Sequence, residues 1–395
     1  MSYKLGEICE FYRGASTPRD RMYDEGDWLY VHYGDLYKGF SYRIDVERPQ
    51  KRIPFILASE PIKSSQRLED QDIVYVLTSE TEGDLGHSYL FNNPFNRPSV
   101  AGTETTIVRV RDTKVILPAY LNYLMHTPMF LGQLRQYVRG MKVFRVHPKD
   151  VARIEIEVPS IENQRKVVSI LDAIYEKQIL NSLLNDYLEE LALTLYAENL
   201  EWGEAELPSG WQFRPLSDFF PVVTGKKDAN IALDNGAYPF FTCKQSALLT
   251  DTYSFDGSAI LVAGNGDFNV KWYEGKFEAY QRTYVLIPDD PVLLGYLYCA
   301  VKRNLSEITS GSRGSVIKFI TKGNIADYEI AVPPNPEQNS TIKQLRKILE
   351  LIDAFNREMA QLETLRDVLL PKLMSGEIDV SQVDLSQLNN HLAAN

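Results

Sequence analysis

The chain of 395 residues contains an internal repeat, and this repeat constrains its architecture more than any other feature. Two pairs of segments match at an offset of 174 residues: Gly140–Val146 with Gly314–Ile320, and Ile154–Pro159 with Tyr328–Pro333. Further along, Leu171–Ala173 matches Ile352–Ala354 at an offset of 181. The added heptad lengthens a helix while roughly keeping its buried face in register. A duplication of this size predicts two similar domains in one chain, because a solenoid needs three or more short repeats.

Both halves of the chain have the same order of segments. A mixed segment rich in Gly, Tyr and Phe comes first, a short β-type stretch ending in Val-Pro follows, and a long helical segment comes last. The sequence therefore predicts a mixed α/β (α+β) fold with an internal pseudo-two-fold repeat. The predicted segments are globular domains at residues 1–158 and 201–332, long helices at 159–200 and 333–380, and a polar tail at 381–395.

Runs of β-branched and aromatic residues bounded by Gly, Asp or Pro predict strands in both globular domains. The clearest are Asp72–Leu77, Thr105–Val110, Ser258–Ala263 and Arg282–Ile287. Pro118–Leu124 and Pro291–Tyr298 predict a pair of matching helices, because each has Pro in its first turn.

Apolar residues recur every seven positions in the second long helix and form an a/d seam over about three heptads, which favours pairing with another helix. The seam residues are Leu345, Ile348, Ile352, Phe355, Met359, Leu362 and Leu369. Asn335 is predicted as the N-cap, with Pro336 in the first helical position and Gln338 completing a capping box. The first helix, predicted from Ser160 to Asn199, has a broader apolar stripe. We expect the two helices to pack antiparallel; the alternative is that each packs on its own globular domain.

The net charge of −11 argues against nucleic acid only at first sight, because its distribution is uneven. Residues 159–206 carry 3 basic and 10 acidic side chains, so the globular domains are nearer neutrality and each can present a basic face. The sequence contains no run of about 18 apolar residues, so it predicts no membrane span. The N-terminus lacks the apolar stretch of a signal peptide, so we expect the protein to be located in the cytoplasm. The three cysteines lie far apart and predict neither a disulfide nor a zinc site.

The sequence holds near matches to catalytic motifs but no complete one. Asn92–Phe95 resembles the loop of an adenine methylase and lacks its second proline. Asp267 with Glu274 and Lys276 mimics the acids and lysine of a Mg²⁺-dependent nuclease, although a charged hairpin is the simpler interpretation. No phosphate-binding loop is present, and the five histidines have no ligand spacing. We therefore predict no catalytic residue, metal site or cofactor in this chain.

Basic loops occupy matching places in the two halves and are candidates for DNA contacts. Phosphates are held by Lys, Arg, Ser and Thr, and base edges are read by Arg, Asn and Gln. The candidates of the first domain are Thr17, Arg19, Arg135, Arg139, Lys142 and Arg145, around the glycines Gly14 and Gly140. Those of the second are Thr224, Lys226, Lys227, Arg313 and Lys318, with Lys244, Asn265, Asn269, Lys271 and Arg282 as weaker ones. Charge runs are usually solvated faces, so each assignment is a hypothesis.

Several stretches resemble the specificity subunits of Type I restriction-modification systems. Leu369–Ile378 is similar to the C-terminal signature of that family, and Leu207–Trp211 is similar to the start of its second recognition domain. Ala263–Asp267 and Arg282–Leu286 are typical of such domains. The resemblance implies that each globular domain is a target recognition domain that reads one half of a bipartite site on double-stranded DNA.

The resemblance also implies partners. The long helices would set the spacing of the half-sites and dock two methyltransferase subunits, and two restriction (motor) subunits can join. The helix residues assigned to this contact are Leu171, Ile174, Leu184, Leu188, Leu345, Ile352, Phe355, Leu362 and Leu369. S-adenosylmethionine, ATP and Mg²⁺ would be bound by those partners.

One alternative needs no DNA. A coiled-coil adaptor that assembles protein partners would also have acidic helices and no catalytic motif. Charge reversal at Arg139, Lys142, Lys226 and Lys227 separates the two hypotheses, because it weakens DNA binding and leaves an adaptor intact.

Overall fold

The computed structural model describes residues 1–37, 39–49, 51–81, 84–313 and 318–383. The chain divides into two compact units. The first comprises Met1–Glu176 and the described part of Leu362–Asn395, and the second comprises Lys177–Gln361. Each unit therefore contains one globular region and one portion of each long helix. Among the described residues, no helix is both long and apolar enough to cross a membrane.

The first unit is built from short strands with short helices between them. Its strands are β1 (Ser2–Lys4), β2 (Cys9–Arg13), β3 (Trp28–Val31), β4 (Arg43–Asp45), β5 (Phe55–Ile56), β6 (Ile73–Val76), β7 (Thr78–Ser79), β8 (His87–Asn92), β9 (Ser99–Ala101), β10 (Thr105–Val110), β11 (Phe144–Arg145) and β12 (Glu155–Glu157). Its helices are α1 (Leu5–Ile8), α2 (Tyr33–Leu36), α3 (Pro118–Met125), α4 (Pro128–Arg135), α5 (Pro148–Val151) and the start of α6 (Ile161–Asn199).

A five-stranded sheet in the order β2-β10-β6-β8-β4 forms the centre of the first unit. Its middle strand β6 buries side chains on both faces: Ile73 and Tyr75 enter one core cluster, while Val74 and Val76 enter another. A strand covered on both faces reads as a continuous apolar run rather than an alternating one. The predicted strands at residues 72–77 and 105–110 are confirmed as β6 and β10.

The second unit repeats this plan. Its strands are β13 (Gln212–Pro215), β14 (Val222–Thr224), β15 (Tyr238–Phe241), β16 (Leu248–Thr250), β17 (Phe255–Ala263), β18 (Val270–Ala279), β19 (Thr283–Leu286) and β20 (Glu329–Val332). Its helices are the end of α6, α7 (Leu294–Arg303), α8 (Leu305–Ile308), α9 (Lys322–Ala326) and most of α10 (Ser340–Ser375).

The sheet of the second unit has the order β14-β19-β17-β18-β15-β16. Four consecutive strands of each sheet correspond, since β2-β10-β6-β8 has the same antiparallel pairings as β14-β19-β17-β18. The next strand, β4 or β15, is parallel to its neighbour in both sheets. The predicted strands at 258–263 and 282–287 are confirmed in β17 and β19. The mixed α/β class and the repeat predicted from the sequence are both confirmed.

The helices predicted after prolines are also present, with one difference. Residues 118–125 form α3 as expected. Residues 291–293 instead form a 3₁₀ turn, and α7 begins at Leu294. The Asp290 side chain accepts a hydrogen bond from the Val292 amide at 3.0 Å and caps this tighter turn.

The predicted N-cap of the second long helix is wrong. Asn335 has a left-handed backbone with φ of 49°, and Pro336–Gln338 form a separate 3₁₀ turn. The α-helix begins at Ser340, because the Asn339 side-chain oxygen accepts from the amides of Thr341 and Ile342 at 2.9 and 3.1 Å. The capping residue is therefore the second asparagine of this segment.

Both predicted arrangements of the long helices occur, each in a different part. Inside the second unit α6 and α10 run antiparallel, since Gln178 contacts Met359 and Asn185 contacts Asn356. The first turns of α10, including Leu345, Leu349 and Ile352, are buried in the globular core of that unit. Polar contacts thus join the two helices at these positions, and apolar residues of both helices enter the core of the sheet domain.

The C-terminal segment belongs to the first unit. Leu370, Leu373, Met374 and Val380 lie in the same core cluster as Leu5. This burial explains the apolar residues within Leu369–Ile378. Of the predicted polar tail, residues 384–395 lie outside the described residues.

Candidate nucleic-acid interface

One end of the first sheet carries a cleft of about 680 Å³. Its lining comprises the end of β2 and the loop after it (Arg13, Gly14 and Ser16), Leu77 with Thr78 of β7, the turn into β10 and the start of that strand (Thr103–Thr106), and Arg139 with Arg145–Pro148. Of the six contacts predicted for the first domain, Arg139 and Arg145 line this cleft, and the predicted loop glycine Gly14 lies beside them. Its lining combines apolar side chains with polar ones and includes three arginines, Arg13, Arg139 and Arg145.

Two backbone features shape this cleft. Arg139 and Arg145 exchange both of their backbone hydrogen bonds, at 2.9 and 2.8 Å, and so close the basic loop around Gly140. A Cβ at Gly14 would lie 2.0 Å from the carbonyl oxygen of Gly102, so only glycine lets the β2 loop pass the turn before β10. The glycines singled out in the sequence therefore hold basic side chains at one place.

The cations of the cleft are weakly paired. Arg139 lies 3.4 Å from Asp150 and Arg145 lies 3.7 Å from Glu104, and the two arginine side chains are 77% and 61% exposed. Because both guanidinium groups are exposed to solvent, these contacts are screened and each guanidinium can contact another anion. This surface can therefore bind phosphate groups.

The other candidates of the first unit occupy different environments. Arg19 begins a short exposed 3₁₀ turn, Arg135 lies exposed in the last turn of α4, and Lys142 is exposed within the basic loop. Thr17 is buried, and its amide donates to the Tyr30 hydroxyl at 3.0 Å. Thr17 thus helps to fix the loop after β2 on the domain core, and its side chain is not exposed.

The second unit builds the equivalent end of its sheet in the same way. Arg313 and Phe319 exchange backbone hydrogen bonds at 2.9 and 2.8 Å, as Arg139 and Arg145 do. A Cβ at Gly225 would lie 2.0 Å from the Ala279 carbonyl oxygen, as at Gly14. The matching loops predicted from the repeat are therefore structurally equivalent. Gly314 itself lies outside the described residues.

Polar contacts join the loops of the second site. The Asn269 amide group donates to the Cys243 carbonyl at 2.9 Å, and the Cys243 thiol donates to the Asn265 side chain at 2.9 Å. The Gly266 amide donates to the Lys318 carbonyl at 3.0 Å. The Gln281 amide donates to the Lys227 carbonyl at 2.9 Å. These contacts place the weaker candidates of the sequence beside the stronger ones.

Lys271 occupies a structural position within this cluster. Its ammonium donates to the carbonyl oxygens of Thr242 and Lys244 at 3.2 and 2.5 Å and to the Asn269 side chain at 2.6 Å. Burial lowers the pKa of Lys271. The candidates whose side chains are exposed in this cluster are Lys226, Lys244, Arg282, Arg313 and Lys318, while Thr224 and Lys227 are half-buried.

Two residues of the first cleft were missed in the sequence. Arg13 directly precedes Gly14, as Thr224 precedes Gly225, so the repeat contained a signal for it. Glu104 lies in the turn before β10 and was not singled out, because acidic residues are not expected among phosphate contacts.

The near matches to catalytic motifs have structural roles. Asn93 is buried, and its side-chain amide donates to the Arg97 carbonyl at 2.9 Å while its oxygen accepts from the Arg97 amide. Glu274 accepts two hydrogen bonds from Arg346 of α10, both at 3.0 Å. Within the described part of the chain, no cluster of His, Cys, Asp or Glu could hold a metal ion.

The helix residues assigned to partners differ in exposure. Leu171, Ile174, Leu345 and Ile352 are buried in their own units, and Leu184, Leu188, Phe355, Leu362 and Leu369 are half-buried. More exposed apolar side chains on α6 are Leu180, Tyr187 and Leu191, at 50%, 68% and 47%. These three positions lie on one helical face, because they are spaced by seven and four residues.

Two sheet domains with equivalent cation-bearing loop clusters, combined with paired long helices, define a nucleic-acid-binding architecture. The sequence profile described as "Type I restriction modification DNA specificity domain" matches residues 1–190 and again 208–364. The chain therefore belongs to the Type I restriction-modification DNA specificity family, as the sequence motifs predicted. Recognition of DNA sequence is the function of this family.

Individual relatives agree with this assignment. The chain is 39% identical over 179 residues to the Type I restriction enzyme EcoDI specificity subunit of Escherichia coli. This matched stretch covers 44% of this chain and 40% of that protein. It is 22% identical to the MjaIX specificity subunit of Methanocaldococcus jannaschii over 96% of this chain and 93% of that protein. The crystal structure of an S subunit from M. genitalium aligns with a TM-score of 0.55 at 14% sequence identity. The alignment covers 95% of this chain and 96% of that chain, and it supports the fold.

Proposed function

We propose that this chain reads a bipartite DNA site, with each unit recognising one half through the loop cluster at the end of its sheet. The observation that carries this proposal is the equivalence of the two clusters in backbone and their difference in side chains. Equal backbone geometry presents both clusters to DNA in the same way. Different side chains give each unit its own sequence preference.

The exposed arginines and lysines supply the phosphate contacts of this proposal. In the first unit these are Arg13, Arg139 and Arg145 of the cleft, and Arg19, Arg135 and Lys142 are further exposed cations outside its lining. In the second they are Lys226, Lys244, Arg313 and Lys318. Base edges are then contacted by side chains that project from the turns between these cations.

The long helices serve as spacer and docking surface in this proposal. The buried residues of α6 and α10 attach the helices to their own sheet domains. The exposed face with Leu180, Tyr187 and Leu191 is the part of α6 available to a methyltransferase subunit. Catalysis then belongs to partner subunits, which bind S-adenosylmethionine for methylation and ATP with Mg²⁺ for restriction. A chain that reads the chromosome in this way works in the cytoplasm.

The experiment is adenine methylation mapping in cells that carry this gene and its neighbouring methyltransferase gene. We expect a split motif that disappears when this gene is deleted. Exchange of residues 1–158 for those of a relative should change one half of the motif and leave the other half unaltered. A change in both halves, or a motif that persists without this gene, would contradict the proposal.

The coiled-coil adaptor is not favoured, because the family is defined by DNA specificity. Charge reversal of Arg139, Lys142, Lys226 and Lys227 tests it directly. The proposed function requires weaker DNA binding and a smaller salt dependence, whereas an adaptor would retain full activity.

A further inference from the structure

We propose that Glu104 is a base-reading residue of the first unit, whose carboxylate accepts a hydrogen bond from the amino group of a cytosine in the first half-site. This inference rests on the proposed function and assigns a chemical preference to one position of the site. Its basis is the conformation of Glu104, its place in the cleft and the residue at the equivalent place in the second unit.

Glu104 occupies a strained turn. The Thr105 amide donates to the Gly102 carbonyl at 3.2 Å, which makes Glu104 the third residue of a four-residue turn. Its φ is 58°, in the left-handed region that favours Gly or Asn at this turn position. A charged residue kept in such a conformation within a binding cleft indicates a functional side chain.

The carboxylate is oriented within the cleft. The Thr78 hydroxyl donates to one of its oxygens at 2.6 Å, and Arg145 lies 3.7 Å from the other. The side chain remains 38% exposed. These contacts hold the carboxylate toward the cleft without enclosing it, so an acceptor position remains open to a ligand.

A negative charge in this cleft opposes the binding of phosphates, which are themselves negative. This electrostatic repulsion is offset where the DNA offers the carboxylate a hydrogen-bond donor. In the major groove, the amino group of cytosine is such a donor, and Asp or Glu is the side chain that matches it. The carboxylate thus fits base recognition and does not fit a phosphate contact.

The second unit carries the opposite chemistry at the equivalent position. The Thr283 amide donates to the Tyr280 carbonyl at 2.8 Å, so Arg282 is the third residue of the turn before β19, as Glu104 is before β10. A guanidinium pairs with guanine, and a carboxylate pairs with cytosine. Both bases belong to a G·C pair, so the two half-sites should differ in which strand carries the guanine of the pair that faces this turn.

Glu104→Gln is the decisive variant, because an amide prefers adenine where a carboxylate accepts from cytosine. Binding of the purified complex with its methyltransferase subunit to duplexes with each base pair at each position, together with methylation mapping, gives the readout. We expect the preference for cytosine at one position of the first half-site to fall about five-fold or more, with the second half-site unchanged. Glu25→Gln is the control, since Glu25 is an exposed carboxylate away from the cleft residues.

Other outcomes would overturn the inference. A uniform loss of affinity with an unchanged motif would mean that Glu104 only positions Arg145. If Glu104→Gln lowers the melting temperature, Glu104→Ala replaces it, and the base preference at that position should then be lost rather than changed. Arg282→Gln should alter only the second half-site. A wild-type complex without any motif would refute the proposed function, whereas an intact motif that is insensitive to Glu104 would refute this inference alone.

Discussion

The Tyr30 hydroxyl donates to the Ala15 carbonyl oxygen at 2.7 Å, and both residues are buried. The same hydroxyl oxygen accepts from the amides of Thr17 and Thr103, each at 3.0 Å. One side chain of β3 therefore connects the loop after β2 with the turn that carries Glu104. This side chain thereby holds together two of the segments that line the first cleft.

Tyr30→Phe should loosen this connection. Two amides lose their acceptor, and each buried unpaired group costs about 1–3 kcal/mol. We expect a lower melting temperature and weaker binding to the first half-site, measured by thermal unfolding and by duplex binding. Tyr23→Phe, at a 43% exposed tyrosine, is the control and should change neither. Equal effects of the two variants would contradict this role of Tyr30.

Gly14→Ala should damage the first half-site, and Gly225→Ala should damage the second. In each case the new Cβ meets a carbonyl oxygen at 2.0 Å, so the loop must move. Methylation mapping should show relaxed or lost sequence preference in one half of the motif only. Gly132→Ala in α4 is the matched control, because nothing lies within 4 Å of the added Cβ. It should be neutral or stabilise by up to about 1 kcal/mol. Loss of both half-sites from one glycine variant would argue against independent units.

Arg139→Ala and Arg145→Ala should weaken DNA binding without changing the motif. If each arginine contacts one phosphate, the slope of log K against log salt should become smaller by about 0.9 per variant. Titrations between low and moderate salt measure this slope. Lys114→Ala is the control, since Lys114 is an exposed cation beyond the opposite end of β10. An unchanged slope in the arginine variants would exclude them as phosphate contacts.

The ion pair of Glu274 with Arg346 should make the second unit sensitive to acid. Burial works to raise the pKa of Glu274, but the hydrogen bonds and charge of Arg346 outweigh it, and the net pKa is lowered. The contribution of the pair is therefore present above the ordinary glutamate pKa of about 4.3 and is lost as the pH falls through the lower folded value.

Arg346→Met tests this pair. The variant should lose less than the roughly 1.5–3 kcal/mol of a hydrogen bond to a charged group at pH 7, because solvent partly screens Glu274. The difference from wild type should shrink below about pH 4. Thermal unfolding at several pH values measures it. Lys347→Met, at the exposed neighbouring position, should have little effect at any pH. A difference that grows toward low pH would contradict the assigned sign.

Much of the fold could be predicted because its signals are local or repeated. The strand at Ile73–Val76 is a run of β-branched and aromatic residues, and α10 follows a helical apolar stripe. The basic loops were found by comparing the two halves of the sequence. Arg313 occupies the position equivalent to Arg139, and Gly225 occupies the position equivalent to Gly14. The N-cap at Asn335 was wrong because two asparagines compete within five residues, and sequence rules do not show which one turns left-handed.

The candidate site depended more strongly on long-range contacts. The Glu104 carboxylate is oriented by Thr78 and Arg145, which are 26 and 41 residues away in the chain. Lys271 was grouped with exposed cations, although its ammonium is bonded to three acceptors of neighbouring loops. A charge pattern shows that a cation is present, but its exposure depends on which segments pack around it.

The sequence by itself determined the duplication, the alternation of sheet domains with long helices, and the family. These features follow from periodicity and self-similarity, which are properties of neighbouring or matching residues. Only the tertiary structure decided which side chains share a cleft, which helix residues are buried in their own unit, and that the C-terminal segment packs in the first core. Such choices depend on contacts between residues far apart in the chain, whose free energy comes from burial and hydrogen bonding in the assembled fold.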